Sequence, residues 1–574
     1  MYRVPSFYGP FSELLYRQLD AIGVNKRVVT RRTETYLHLE AMQTVCYKLE
    51  GQNTTCIHFG SQSEGTTTPG LQSDTDMLMT LDNINIMYTM DDRKQGAKNY
   101  LMVRDETTPA QHYMLQKMRS DRPLPVIYTD ELCHKIDSQG RVLLSNLYFH
   151  NCIGDICRSF GLPQIRSGPS DTPYDDQDLV CAWRCNSLPP EIMSWFTHDR
   201  NGYWPPTEVF EAARHCPCYL VPDGHHASAN KDLEWRITPN LIERILMFST
   251  NMVHRKCLIV MKMLKKERLA CVIPTSHVRC KITSFHCKTA LFFTLERTPP
   301  NVWKKYRLVE CIVRCLQTIR GFLFQGECPH YIVGNVDLFD GKLCRECQMA
   351  LELEIRRMIQ DDMHVLFHLQ CDGLGQKLLP IPRGVQNPSV DETDGNLLGL
   401  LAQGMFTNQS ENETYIMSRF SGMSTTECRE HLTYTSLTLK SNNENNTTRF
   451  ERKCTSLLSS KLISTLACVN SSINIQTSQP MSETEWQLYR VSIDTDVASA
   501  RLKLASMLYC RGELQRAAYV LADVERRLDD SVLHVCGSRS SLNYRVKPPL
   551  SFLACRSRQA SRPKTTVIFT ICCI

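Results

Sequence analysis

The sequence predicts an α+β chain, with strands gathered in residues 1–239 and helices dominant from residue 240. Three observations carry this. Apolar runs of strand length stand at 55–59, 74–81 and Leu179–Trp183. The stretches Leu241–Phe248, Cys257–Arg268, Cys287–Leu295, Val309–Phe324 and Leu351–Leu369 repeat their apolar residues every 3.6 positions, with charged outer faces. Residues 385–485 show neither pattern. Ser, Thr, Asn and Gln dominate there, and Ser441–Thr448 reads as part of a disordered linker.

In chain order, residues 11–46 read as helical, with Leu14, Leu15, Leu19, Ile22 and Val28-Val29 forming an apolar stripe. Next comes Ile57–Leu78. Strand Ile57–Phe59 runs into Gly60-Ser61, a Gly/Ser/Thr-rich turn follows, and Asp74 and Asp76 head the next strand. Residues two apart on a strand share a face, so both carboxylates can meet one cation. Oxygen-only ligation suits Mg²⁺ or Mn²⁺ better than zinc. Gly60 lets a phosphate approach the backbone, and Ser61 can donate to it. Gly-Ser, a spacer, then acid-x-acid is the pattern of nucleotidyltransferases; the plain alternative is a hairpin with two solvated aspartates.

Residues 82–140 read as polar and irregular, with short extended pieces at Tyr100–Val103 and Val126–Tyr128. Asp175, Asp176 and Asp178 precede the 179–183 strand. Two-metal phosphoryl transfer needs one more carboxylate, and Asp178 is the choice, with Asp176 in reserve. At 498–530 an apolar pattern interrupted by Gly512 is similar to one tetratricopeptide helix pair. Such a unit needs a neighbour to cover its apolar face.

The 574 residues suffice for two to four domains. A net charge of +6 does not by itself imply nucleic acid. Basic residues do cluster at Arg255-Lys256, Lys262, Lys265-Lys266, Arg268, Lys304-Lys305 and Arg307, which read as solvated helix faces or as an anion-binding surface. The 27 cysteines are scattered, without repeated CxxC pairs, and the N-terminus lacks the apolar core of a signal peptide. A cytoplasmic (or nuclear) chain with reduced thiols is expected, and the Asn-x-Ser/Thr sites are then silent. No run reaches the roughly 18 apolar residues of a membrane span.

Five motifs now stand in order: Phe59-Gly60-Ser61 with Asp74-Thr75-Asp76, Gly202-Tyr203-Trp204-Pro205-Pro206, Glu234-Trp235-Arg236-Ile237, Met261–Lys266 and Thr283–Thr289. In these the chain resembles the Mab-twenty-one-like proteins, which include cyclic GMP–AMP synthase and the cGAS-like receptors, over roughly residues 50–370. The resemblance implies two lobes, an α/β nucleotidyltransferase lobe at 1–239 and a helical Mab-type lobe at 240–384, with ATP and GTP in the cleft between them. The linker at 385–485, the tetratricopeptide-like segment at 486–540 and an unassigned tail at 541–574 complete the chain.

By the same resemblance, Asp74, Asp76 and Asp178 would hold two Mg²⁺ or Mn²⁺ ions, and Gly60-Ser61 would meet a triphosphate. Arg236, Lys262 and Ser284 would contact phosphates or bases, and Phe285 would stack on a base. Each has a bland alternative: an ion pair for Arg236, a solvated face for Lys262, core packing for Phe285. Cyclic GMP–AMP synthase carries a zinc insertion before the Met-Lys helix. Here that interval holds only His254 and Cys257, too few for a tetrahedral site, so no zinc is expected and double-stranded RNA replaces DNA as the expected activator. Three functions compete: a ligand-gated cyclic dinucleotide synthase of innate immunity, a silent scaffold of the same family, and an RNA-tailing enzyme. A protein partner is expected at 486–540, and no membrane.

Overall fold

β1 (Thr54–Phe59) and β2 (Thr75–Leu81) pair antiparallel, with Phe59 opposite Asp76. This is the start of the sheet in a computed structural model that describes residues 8–49, 51–81, 84–159, 163–172, 177–198, 202–273, 280–380, 390–418, 420, 422–444 and 448–528. The chain forms two compact units, Met1–Leu37 with Asn53–Leu401, and His38–Gln52 with Ala402–Ile574.

In the first unit the sheet continues through β3 (Ile84–Met87), β4 (Lys98–Val103), β5 (His112–Met118), β6 (His134–Ile136) and β7 (Val142–Leu144). A small hairpin of β8 (Ile165–Ser167) and β9 (Ser170–Thr172) precedes β10 (Gln177–Cys185), β11 (Cys218–Val221) and β12 (Glu234–Thr238). The spatial order is β1-β2-β10-β11-β12-β5-β4-β3, with β6 and β7 beside β5. The nine-residue β10 changes neighbours along its length. Its first part runs parallel to β2, from Gln177 opposite Thr75 to Ala182 opposite Thr80, and its last three residues pair antiparallel with β11.

Within the 82–140 stretch, β4 covers the extended piece expected at Tyr100–Val103, while β3, β5 and β6 lie where an irregular chain is expected. β5 reads His-Tyr-Met-Leu-Gln-Lys-Met, without a β-branched residue, and Asn99 on β4 is buried. Such strands are held by burial and pairing rather than by propensity. Val126–Tyr128, read as extended, lies outside any strand.

The helical part of this unit centres on Met252–Leu264, buried along almost its whole circumference. Asn251 caps it, its side chain accepting from the His254 N–H. The helices Ser284–Arg297 and Leu308–Gln325 pack on it and on each other. An all-round buried helix must satisfy its polar groups internally. Arg255 donates to the Glu64 carbonyl, and Lys256 to Asp20 and the Tyr16 carbonyl at 2.6 Å each. The first half of the basic cluster is therefore core, not solvated face; Lys304 and Lys305 do stay exposed.

The disordered linker expected at 385–485 is corrected by helices, the first of which begins before the second unit does at Ala402. Among the described residues, helices occupy Val390–Ser418, Thr425–Glu444 and Arg449–Gln476. Apolar residues are sparse here but fall every fourth position in Cys454, Leu458, Leu462 and Leu466, enough for a stripe that meets Met42, Val45, Leu432 and Leu439. Thr448 with Glu451, and Ser482 with Glu485, form capping boxes that start two of its helices. The helix pair Ser499–Cys510 and Leu514–Arg527 lies where the sequence placed one. The 541–574 tail lies outside the described residues.

Leu462, 1% exposed, is expected to cost about 2–4 kcal/mol when cut to Ala. Hydrogen exchange of the wild type should show protected amides across 450–474. Exchange there at unfolded-chain rates would mean that the linker reading was right.

Candidate functional site

The parallel register of β2 and β10 sets Asp76 directly beside Asp178. Neighbouring residues in a parallel pair share a face, so both carboxylates look the same way. Both line a cleft of about 1070 Å³. Gly60, which follows β1, closes one side of it. A Cβ on Gly60 would stand 1.7 Å from Asp76 Oδ2, and Gly60 has φ +73°, so only glycine fits there.

Burial pushes the Asp76 carboxyl up to about 7, and Asp178, Glu64 and Asp74 push the same way, against Lys288. This is a crowd of oxygen donors without enough positive charge. Such an oxygen donor set suits Mg²⁺ or Mn²⁺, which Asp76 and Asp178 would hold. Asp74 is different. It is exposed, precedes β2, and is not among the residues lining the cleft. Asp175 and Asp176 lie outside the described residues.

Lys262 comes from the buried helix and reaches the turn after β1. Its Nζ donates to Ser61 Oγ at 2.8 Å, to the Thr66 carbonyl at 2.8 Å and to Thr66 Oγ1 at 2.9 Å. Burial lowers it to about 8, while Glu64 pulls the other way. Lys262 is thus no solvated residue. It pins the Gly60-Ser61 turn, and because Ser61 accepts from it, the Ser61 hydroxyl proton is left to point elsewhere. Ser284 and Phe285 open the helix Ser284–Arg297, are half-buried and line the same cleft; the Phe285 ring also packs against His330 at 5.5 Å. Arg236 on β12 lines it too and pairs through Nε with Asp223 Oδ2 at 2.9 Å.

Sequence reasoning missed the pair that ties this site together. Lys288 Nζ donates to Glu64 at 2.6 Å and to Glu243 at 3.2 Å, with all three groups nearly buried. Burial disfavours the Lys288 charge, but the two carboxylates outweigh it and raise its pKa. Both signals were present: Glu64 is the one acid in a Gly/Ser/Thr turn, and Lys288 sits in the Thr283–Thr289 motif.

Two predictions follow from the Asp76 surroundings. An acid raised in the folded state stabilises it fully below its unfolded value near 4, and that contribution is lost as pH rises through about 7. Without divalent cations, Asp76→Asn should therefore be more stable than wild type at pH 8 by about 1–3 kcal/mol, with the gain vanishing near pH 4. Thermal melts at both pH values check this; an equal shift at both would contradict it. Gly60→Ala should instead lose about 1–3 kcal/mol in the same melts.

Residues 253–353 match the family model described as the Mab-21 protein HhH/H2TH-like domain. The matched segment contains Lys262, Ser284, Phe285 and Lys288, the helical wall of the cleft. Facing it, the mixed sheet supplies Gly60, Asp76 and Asp178. Residues 253–353 thus carry a Mab-21-type domain, and they form the helical wall of a cleft whose other wall is the mixed sheet.

Proposed function

We propose that this chain is a nucleotidyltransferase that joins ATP and GTP into a cyclic dinucleotide, gated by double-stranded RNA, in an innate immune response in the cytoplasm or nucleus. The observation that carries the reading is the Asp76–Asp178 pair, in register on parallel strands against Gly60-Ser61. Mg²⁺ or Mn²⁺ held by Asp76 and Asp178, with Asp74 joining them, would polarise the attacking hydroxyl and neutralise the charge that develops on the leaving phosphates.

The chain's own residues do the positioning. Gly60 gives a phosphate access to backbone N–H groups that a side chain would block. Ser61, anchored by Lys262, donates its hydroxyl to a phosphate oxygen. Arg236 offers guanidinium N–H groups that Asp223 leaves unused, and Ser284 adds a hydroxyl. Phe285 presents part of a ring to a base. A cleft of about 1070 Å³ exceeds the usual range for one small ligand, which suits two nucleotides. The segment 486–540 would take a protein partner, its tetratricopeptide-like pair exposing Tyr509 and Tyr519.

A second reading, a non-catalytic scaffold, draws on one specific observation. Arg236, Lys262 and Lys288 are each bonded within the chain, and Asp74 stands off the cleft. Labelled ATP and GTP with Mg²⁺ or Mn²⁺, and no ligand, double-stranded DNA or double-stranded RNA, separate the two by chromatography of the products. The synthase gives a cyclic dinucleotide with RNA only, lost by at least about a hundredfold in Asp76→Ala and Asp178→Ala. Product without added nucleic acid would favour the tailing enzyme, and turnover surviving in Asp76→Ala would sink the carboxylate assignment.

A further inference from the structure

Three cysteines from two segments meet in the first unit, Cys280 from one and the Cys-x-x-Cys pair Cys344 and Cys347 from the other. Cys280 precedes the helix Ser284–Arg297, Cys344 caps the helix Arg345–Gln360, and Cys347 lies one turn inside it. Their sulfurs all lie within 4.8 Å of one another, with Cys280 Sγ and Cys344 Sγ at 3.6 Å. We propose that Cys280, Cys344 and Cys347 form a three-thiolate site for a zinc ion, separate from the carboxylates of the cleft and independent of whether the cleft is catalytic.

Zinc–thiolate bonds of about 2.3 Å at tetrahedral angles put neighbouring sulfurs about 3.8 Å apart, close to the observed spacing. A disulfide needs about 2.05 Å and would leave the third thiol stranded. The Cys344 N–H donates to Cys280 Sγ at 3.5 Å, a bond that favours a thiolate at that sulfur. Cys347 is fully buried while Cys280 and Cys344 are half-buried, so an ion can enter. Soft sulfur donors select zinc over Mg²⁺ or Mn²⁺, so the two sites do not compete. Among the described residues the site offers three protein ligands, and a water would take the fourth position.

The place gives the ion a task. Cys280 is four residues before Ser284, Cys344 is two after Lys342, and both Ser284 and Lys342 line the cleft. One backbone bond already ties these segments, Lys281 N–H to the Lys342 carbonyl at 2.9 Å. A shared ion would clamp them, fixing the wall that carries Ser284 and Phe285. The sequence reading, drawn from the interval of His254 and Cys257, expected no zinc; the proposal departs from that expectation at a segment that follows this interval.

The test uses the full chain, free of any histidine tag and purified under reductant from zinc-supplemented culture. Elemental analysis should find about one zinc per chain in wild type and in Cys133→Ser, which disrupts the separate Glu131/Cys133/His134 cluster, and at least about tenfold less in Cys280→Ser and Cys344→Ser. A cysteine variant could lose metal by misfolding, so wild type is also read alone. Cobalt in place of zinc should give a thiolate-to-cobalt charge-transfer band and the intense visible bands of a tetrahedral ion, and chelation should lower the melting temperature. Zinc-free wild type, occupancy by copper or iron instead, full zinc in Cys280→Ser, a cobalt spectrum without the thiolate band, or a Cys280–Cys344 disulfide in the protein as isolated would each overturn the proposal.

Discussion

Two carboxylates held side by side in a half-buried wall repel each other, and the rest of the first unit is arranged around that repulsion. The parallel pairing of β2 with β10 fixes Asp76 beside Asp178, and Gly60, lacking a Cβ, leaves the space that the Asp76 carboxylate occupies. Glu64 adds a third negative charge from below. Lys288 offsets part of it, but Lys288 is shared with Glu243, so the crowd around Asp76 stays short of cations. A divalent cation bound there, as proposed, would relieve that repulsion.

The buried helix Met252–Leu264 is the other half of the arrangement. It crosses the core, and its three buried cations each tie a distant piece to it: Arg255 the Glu64 carbonyl, Lys256 the Tyr8–Ala21 helix, Lys262 the Gly60-Ser61 turn. The lysine that sequence reasoning put in contact with substrate is also a structural pin. Lys262→Ala would therefore mix lost binding with a loosened turn, and its phenotype cannot be assigned to either alone.

Much of this was legible in the sequence. The strand carrying Asp76 and four of the five helices after 240 follow from periodicity; the fifth, read over Leu351–Leu369, spans Arg345–Gln360 and stops there, because Asp362 and Met363 take positive φ. Gly60, Ser61, Asp76, Asp178, Arg236, Lys262, Ser284 and Phe285 share one cleft. What failed did so for physical reasons. Strands β3, β5 and β6 are stabilised by pairing and burial that single-residue propensity does not register. The helices of 390–476 bury a narrow stripe behind a Ser/Thr/Asn face, so composition pointed to disorder. Asp74 shares a strand face with Asp76 by spacing, yet β2 starts at Thr75, and Asp74 lies outside the regular pairing that would hold it in line. The Glu64–Lys288–Glu243 network and the three-cysteine cluster join segments far apart in the chain, which only the fold brings together.

The measurement closest to the central claim is a crystal of the protein soaked with Mn²⁺ and a non-hydrolysable ATP analogue, read by anomalous scattering from manganese. A peak bridging the Asp76 and Asp178 carboxylates, with the triphosphate over Gly60-Ser61, is the expected result. Nucleotide bound in the cleft with no manganese at either carboxylate would contradict it.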